Sequence, residues 1–254
     1  MRPYLRRLLL SATLLATATL QAQTLEISGS TSVIKETIEA NAAAIKAATG
    51  VTVKGNAMVT GRGVLALYQG KTTMAATSAT LEESAVAARK AMQDAGVDVP
   101  VPANLMFHEV GRERVGVYVH KDNPISTLST AQLKDLFSGK VRNWKQVGGP
   151  DLPVKLFLSA PGSSTRALVQ KHVLDTAEYA ADAAEFRTGL AAMAEVTKER
   201  GGLAAGGLML LDHSNAGNLK VVQAPTIDRP IAFLTVGKPT EPMQKVIEYL
   251  RKKK

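Results

Sequence analysis

The chain has 254 residues, 45% of them hydrophobic and 4% aromatic, and a formal net charge of +9. This length suffices for one large domain or two lobes, and the absence of cysteine excludes disulfides, cysteine-bound metals and a lipid anchor on cysteine. Three arginines near the N-terminus and four basic residues at the C-terminus account for seven of the nine net charges. With so few aromatic residues, the remaining +2 does not fit a nucleic-acid surface, and we expect no nucleic-acid partner.

Residues 1–22 have the pattern of a secretory signal peptide. A start with three arginines precedes the apolar run Leu8–Leu20, which is too short to span a bilayer. Small residues then allow cleavage after Ala18 or Ala22. No later segment is long and apolar enough to cross a membrane. We therefore expect an exported protein whose mature part is soluble.

The first part of the mature chain alternates predicted strands with predicted helices. The strands are Leu25–Ile27, Val51–Val53 and Thr73–Thr77, and the helices are Val33–Thr49, Gly63–Gln69 and Leu81–Ala95. A glycine follows each helix where it should stop, namely Gly50, Gly70 and Gly96. This β-α-β-α-β-α order favours a parallel sheet with helices on both faces.

A long β-rich segment, Asn104–His120, then has the length to carry the chain from one lobe into another. The predicted elements after it are helix Thr130–Phe137, strand Val154–Leu158, helix Ser164–Leu174, an alanine-rich helix from Ala177 to about Arg200, strands Leu219–Val222 and Ile231–Val236, and helix Pro242–Leu250. This second α/β series predicts a second lobe of the same architecture.

The predicted fold is therefore α/β, with two Rossmann-like lobes joined by two hinge crossings. Lobe I comprises residues 23–112 and 210–254, and lobe II comprises residues 113–209. The hinge is predicted near Val110–Val117 and Gly206–Leu211.

Three hydroxyl- or glycine-rich turns stand where a predicted strand leads into a predicted helix. They are Gly29-Ser30-Thr31-Ser32, Thr60-Gly61-Arg62-Gly63 and Gly162-Ser163-Ser164-Thr165. The first turn of a helix exposes unpaired backbone N–H groups at the positive end of its dipole, and hydroxyls add directed donors. Any one turn alone would fit an ordinary N-cap, which needs a single Ser or Thr. In a parallel sheet all three fall at the carboxyl ends of strands, so together they predict a small-anion site between two lobes.

No catalytic or metal-binding pattern accompanies these turns. Gly70-Lys71-Thr72 resembles the end of a nucleotide-binding P-loop, but that motif requires a glycine where Leu65 stands. A serine hydrolase needs a histidine and an acid beside its serine, and the four histidines are isolated in the sequence. We expect no enzymatic activity, no cofactor and no metal.

The order of these motifs resembles that of the periplasmic phosphate-binding proteins of ABC transporters, which belong to the type II periplasmic binding protein superfamily. The resemblance covers nearly all of the mature chain. Its most specific piece is Leu128–Val154, where the residues that follow the family's pattern are Leu133, Asp135, Leu136, Phe137, Gly139, Lys140, Asn143, Trp144, Gly148 and Gly149. Ile27–Val33 and Pro161–Val169 resemble the phosphate loops of the two lobes, and Asp228–Leu250 resembles the closing strand and helix.

This resemblance implies a set of site residues. The predicted ligand-binding residues are Ser30, Thr31, Ser32, Thr60, Gly61, Arg62, Ser78, Ser163, Ser164 and Thr165, with Arg166 and Ser159 as further candidates. The family's buried aspartate, which accepts the proton of hydrogen phosphate, would fall near Ser78, and a family arginine would fall at Ser159. Arg62 and Arg166 are the available substitutes for the positive charge, and Arg62 is preferred because it lies inside a predicted binding loop.

The missing aspartate leaves the identity of the anion open. A carboxylate in the site repels a fully ionised anion and favours one that carries a proton. The resemblance implies a monomeric periplasmic substrate-binding protein of an ABC-type uptake system, which binds phosphate or a similar small oxyanion and docks on a membrane permease. The alternative is a periplasmic sensor or accessory protein of the same fold, without a transport role, that binds another small anionic ligand.

Overall fold

The computed structural model describes residues 24–213 and 216–253, so the predicted signal peptide, residues 1–22, lies outside the described residues. The strands are β1 (Thr24–Ser30), β2 (Thr52–Met58), β3 (Met74–Thr77), β4 (Leu105–His120), β5 (Lys155–Ser159), β6 (Ala184–Phe186), β7 (Gly202–Gly207) and β8 (Leu219–Val236). All eight form one sheet in the order β2-β1-β3-β8-β4-β7-β5-β6.

Seven α-helices are found in the described part of the chain. They are α1 (Ala42–Thr49), α2 (Thr60–Tyr68), α3 (Leu81–Ala95), α4 (Thr130–Phe137), α5 (Ser164–Val169), α6 (Gly189–Val196) and α7 (Glu241–Lys252). Short 3₁₀ or π turns occupy Val33–Ile38, Glu39–Asn41, Trp144–Val147, Gln170–Leu174, Leu208–His213 and Ala216–Asn218. None of these helices has both the length and the apolar character that a membrane span requires.

Two long strands join two α/β halves. β1 pairs in parallel with β2 and β3, and β5 pairs in parallel with β6 and β7. Between these groups β4 and β8 run antiparallel to each other, from Leu105 opposite Val236 to His120 opposite Leu219. β8 also pairs with β3, and β4 with β7. The predicted fold class, two α/β lobes with two crossings, is therefore confirmed.

Each half has its own hydrophobic core. The core around β1 includes Ile27, Ile34, Ile38, Phe233 and Ile247, and the core around β5 includes Leu133, Phe137, Trp144, Leu158 and Val222. Within β8, Val222 packs in the second core and Phe233 in the first. The lobe boundaries at residues 112 and 209 stay a prediction, and from this packing we propose that the second crossing lies in β8 near Arg229.

Helices α3 and α4 have the predicted bounds, but the alanine-rich helix from Ala177 to Arg200 is wrong. This stretch contains a turn, β6 and α6. The Tyr179 hydroxyl donates to the backbone carbonyl of Arg166, and β6 pairs with β5. These tertiary contacts outweigh the helix propensity of alanine.

Two further elements differ from the prediction. The predicted strands Leu219–Val222 and Ile231–Val236 are one strand, β8, because β4 is long enough to pair with both. The predicted helix Val33–Thr49 is helical throughout but becomes a regular α-helix only at Ala42. The Asn41 side chain donates to backbone carbonyls at positions 36 and 37, and such local bonds compete with the helical pattern.

Candidate functional site

Segments from both lobes meet at one small polar cavity with a volume of about 20 Å³. It is lined by Ser30, Thr31, Ser32, Met58, Val59, Thr60, Ser163, Ser164, Thr165, Gly189, Leu210 and Arg229. Seven of the predicted ligand-binding residues are among them. The structure thus brings together the first and the third of the predicted turns, although Ser30 and Ser163 lie far apart in the sequence.

The end of β1 reaches the cavity because Gly29 allows a close approach to β3. Gly29 has a φ of +140°, and a Cβ at this position would lie 2.1 Å from the carbonyl oxygen of Ala76. The next residue, Ser30, ends β1, and its Oγ lies 2.8 Å from the Oγ of Ser78, just beyond β3. The side chains of Ser30 and Ser32 are buried.

The third predicted turn, Gly162-Ser163-Ser164-Thr165, leads into α5. Ser163 is the N-cap residue of this helix, and its side chain makes no capping hydrogen bond. Ser164 Oγ lies 2.8 Å from Ser78 Oγ, and the backbone N–H of Gly61 donates to the carbonyl of Gly162 over 3.0 Å. The two lobes are therefore in direct contact around the cavity.

Arg229, on the long strand β8, places a positive charge in this otherwise neutral cavity. Its side chain is 2% exposed. Nη1 donates to Thr165 Oγ1 over 2.7 Å and to Ser164 Oγ over 3.3 Å, and Nη2 donates to Ser32 Oγ over 3.4 Å. The guanidinium group thus bridges hydroxyls of both lobes.

Glu113, on the facing strand β4, balances this charge. It is the cross-strand partner of Arg229 in the sheet register. Its Oε1 lies 2.9 Å from Arg229 Nη2 and 3.1 Å from Nε, and it accepts the Ser32 hydroxyl over 2.7 Å. The Glu113 side chain is 1% exposed, so this is a buried ion pair at the junction of the two lobes.

The buried pair acts on Tyr118, which is fully buried behind it. Burial raises the pKa of the Tyr118 hydroxyl, Glu113 raises it further, and Arg229 lowers it. The phenol therefore stays neutral and donates to the carbonyl of Gly207 over 2.9 Å. It contributes no charge to the site.

Two arginines that were predicted as candidates lie outside the cavity. Arg62 is exposed, whereas the buried residues of α2 are Thr60, Gly61, Gly63, Val64, Leu65 and Leu67. Arg166 pairs with Glu185 over 2.5 Å and lies over the Tyr179 ring. Neither lines the cavity, whereas Arg229 does, so the role of Arg62 as the source of positive charge stays a prediction that its position does not support.

The remaining predicted residues take supporting positions. Ser78 is fully buried behind the cavity and contacts it through Ser30 and Ser164. The Ser159 carbonyl accepts a hydrogen bond from Arg166, and this residue does not line the cavity. Gly61 uses its N–H for the contact between the lobes.

Sequence reasoning missed Glu113 and Arg229 because both lie inside strands. A signal was nevertheless present, since each is a charged residue within a segment predicted to cross between lobes or to end the fold. Buried charges are rare unless they are paired. Opposite charges in the two segments that cross between the lobes would therefore have indicated a buried ion pair.

A larger cavity of about 410 Å³ opens beside β5 and β6. Its charged lining residues are Arg142, Asp182 and Lys155. Arg142 pairs with Asp182 over 2.7 Å and Lys155 pairs with Glu199 over 2.7 Å, so each of these charges already has a partner at the surface. Among residues 24–213 and 216–253, no group of three His, Asp or Glu side chains has the arrangement of a metal site. The small cavity between the lobes is thus the better candidate for a functional site.

A family model described as a PBP superfamily domain matches residues 16–249 of the chain. The phosphate-binding protein PstS of Bacillus subtilis is 37% identical over 76 residues, which are 30% of this chain and 25% of that protein. PstS of Staphylococcus epidermidis is 26% identical over 194 residues, 74% of this chain and 53% of that protein. The chain thus spans a quarter to about half of the length of these curated relatives.

The fold is also similar to a crystal structure with bound phosphate from Clostridium perfringens, that of a candidate phosphate ABC transporter substrate-binding protein. The TM-score is 0.74 at 23% sequence identity, over 90% of this chain and 93% of the other. The two-lobed architecture described above is therefore shared with that structure.

Proposed function

The chain belongs to the PBP superfamily, and on this premise we propose that it is a substrate-binding protein which holds phosphate or a similar small oxyanion between its two lobes. The observation that carries the proposal is the buried Arg229 guanidinium, which contacts hydroxyls of both lobes at one cavity. The names of the curated relatives and the phosphate in the Clostridium structure support the choice of oxyanion.

The cavity has suitable groups for an oxyanion. Arg229 supplies the charge. Its Nε and Nη2 are held by Glu113 and Ser32, so Nη1 is the nitrogen that can turn to a ligand when its present acceptors, Thr165 and Ser164, move away. Thr165 accepts from Arg229, so its own hydrogen can point toward a ligand. Hydroxyls of both lobes surround this point. Burial strengthens each of these hydrogen bonds because little water competes for them.

Binding requires a small separation of the lobes around the ligand. The cavity of about 20 Å³ is close to the space that one water molecule needs, and a phosphate is larger. The contact between Ser78 and Ser164 must therefore open to admit the anion. An anion that touches both lobes stabilises the closed state because it binds that state more tightly than the open one.

One ion pair supports closure at the rim. Lys171 of lobe II lies 3.3 Å from Glu83 of lobe I. Burial raises the pKa of Glu83, but hydrogen bonds from Thr80 and Lys171 outweigh it and lower the pKa below its ordinary value. The pair therefore stabilises closure at neutral pH and is lost as the pH falls through the lowered pKa.

We further propose that the protein acts in the periplasm, as a monomer that delivers its ligand to the membrane permease of an ABC transporter. The resemblance of its motifs to those of periplasmic phosphate-binding proteins supports this role. We also propose that it binds the ligand without chemical change, since the cavity offers hydrogen-bond donors and one cation.

Titration calorimetry of the purified protein with phosphate, arsenate, sulfate and small carboxylic acids tests the proposal. We expect saturable heat with phosphate at micromolar to submillimolar concentration. Arg229→Met should abolish this heat, whereas Arg62→Ala, which removes an exposed arginine, should leave it unchanged. Absence of heat with every one of these anions at millimolar concentration would refute oxyanion binding.

A second experiment separates transport from the alternative, a sensor or accessory protein of the same fold. Phosphate uptake is measured in cells of the source organism with and without the gene. Loss of high-affinity uptake supports the transport role. Normal uptake, with phosphate binding intact in vitro, favours the sensor.

A further inference from the structure

One chain of hydrogen bonds crosses the site and ends on Glu113. It links the side-chain oxygens of Thr60, Ser164, Ser78, Ser30, Ser32 and Glu113 in this order, and the successive separations are 3.4, 2.8, 2.8, 3.2 and 2.7 Å. None of the six residues is more than 6% exposed. Water therefore has little access to these groups, and each hydroxyl depends on its neighbours in the chain.

Glu113 fixes the direction in which every hydroxyl donates. A carboxylate paired with a guanidinium has no hydrogen and accepts only, so the single hydrogen of Ser32 points to Glu113 Oε1. Ser30 must then donate to Ser32, and Ser78 must donate to Ser30. Because the single hydrogen of Ser78 then points to Ser30, Ser164 must donate to Ser78. The chain thus runs one way, from Thr60 to the carboxylate.

The carboxylate itself is held in place. Arg229 donates to its Oε1 through Nε and Nη2. A Cβ on Gly207 would lie 2.4 Å from Oε2, so glycine at position 207 leaves room for the carboxylate in this position. Oε2 has no hydrogen-bond partner among the described residues. Turning Glu113 away would cost both the ion pair and the Ser32 bond.

We propose that Glu113, acting through Ser32, makes Ser30 the acceptor for a proton carried by the bound oxyanion. This inference rests on the proposed function. Ser30 lines the cavity, gives its hydrogen to Ser32 and accepts from Ser78, which leaves one lone pair for a ligand. Arg229 and Thr165, which also line the cavity, supply donors.

The cavity therefore favours an oxyanion that bears a hydroxyl, such as hydrogen phosphate, over sulfate. Sulfate has only acceptor oxygens at neutral pH, and one of them would face the acceptor Ser30 in a buried site. Thr31 does not change this conclusion. Its bond to the Met58 carbonyl is 3.3 Å long and neutral, so that hydroxyl can turn and donate to phosphate and sulfate alike. The bond of Ser30 to Ser32 is also neutral, at 3.2 Å, but turning it away would leave the Ser32 oxygen without this donor, while the Ser32 hydrogen stays on the carboxylate over 2.7 Å.

The experiment compares the dissociation constants of phosphate and sulfate by titration calorimetry at one pH near neutrality. We expect the wild-type protein to prefer phosphate by about tenfold or more. In Ser32→Ala the Ser30 hydrogen loses its acceptor and turns to the cavity, so the preference should fall by at least about tenfold. Ser32→Thr keeps the hydroxyl and should keep the preference. The matched control is Ser84→Ala, which removes a buried, hydrogen-bonded serine away from the cavity.

Glu113→Gln is the second variant and should also lose at least about tenfold of the preference. Because it also changes the charge of the site, Ser32→Ala separates the effect of hydrogen direction from that of charge. If Glu113→Gln does not fold, Ser32→Ala alone decides.

Two results would overturn the inference while the proposed function stands: a wild-type protein that binds phosphate and sulfate equally, or a Ser32→Ala variant that keeps the wild-type preference. A wild-type protein that binds neither anion contradicts the proposed function itself.

Discussion

Arg229→Met is expected to lower the free energy of unfolding by about 3–5 kcal/mol, the usual effect of removing one partner of a buried ion pair. In the structure Glu113 would keep the Ser32 hydrogen bond at Oε1 but lose two donors, at 2.9 and 3.1 Å. Its Oε2 already has no hydrogen-bond partner among the described residues. A nearly unpaired carboxylate would then remain at a position where its side chain is 1% exposed.

The double variant Arg229→Met, Glu113→Gln isolates this mechanism. It removes both charges, and replacing a whole buried pair is often close to neutral. We therefore expect the double variant to recover more than half of the stability that Arg229→Met loses, although neither protein should bind phosphate.

The assay is urea unfolding followed by the fluorescence of Trp144, the single tryptophan, which is fully buried. A loss of 3–5 kcal/mol corresponds to a fall in Tm of about 6–20 °C for a chain of this size. The reasoning is refuted if Arg229→Met costs less than about 1 kcal/mol, or if the double variant is as unstable as the single one.

Three further predictions concern other parts of the account. Thr165→Val removes a hydroxyl that is bonded to Arg229. It should weaken phosphate binding about tenfold, measured by calorimetry, with little change in Tm. An unchanged affinity would mean that the ligand binds elsewhere. Gly29→Ala forces a Cβ against a backbone carbonyl and should lower the free energy of unfolding by more than about 2 kcal/mol. Gly50→Ala has open space around it and should lower the free energy of unfolding by about 1 kcal/mol. Equal losses in the two variants would contradict the close approach of β1 and β3. Arg62→Ala should leave phosphate affinity within about twofold, since exposed charges contribute little, and a larger loss would restore Arg62 to the site.

Local patterns in the sequence predicted the regular elements well. The bounds of α3 follow from a capping box at Thr80 and Glu83 and from Gly96, which adopts a left-handed conformation at the end of the helix. The same capping signal, Ser129 with Gln132, begins α4. Signals of this kind depend on neighbours within one turn and are therefore readable without tertiary structure.

The prediction failed where distant contacts decide the conformation. Alanine favours helix, but the stretch from Ala177 folds around pairing with β5 and the bond from Tyr179 to Arg166, neither of which is visible locally. The hydroxyl segments of the site were predicted because each follows a strand and begins a helix. Their positive charge was assigned to the nearest arginine in the sequence, Arg62, whereas the sheet register brings Arg229 from the last strand.

The position of a bound oxyanion tests the central claim most directly. The protein is co-crystallised with arsenate, a tetrahedral oxyanion that carries a proton near neutral pH, and an anomalous difference map is calculated at the arsenic absorption edge. The account predicts the strongest peak between Ser30 and Thr165, with Nη1 of Arg229 about 2.7–3.2 Å from an arsenate oxygen. A map whose peaks lie only on the outer surface, with none between the lobes, would contradict it.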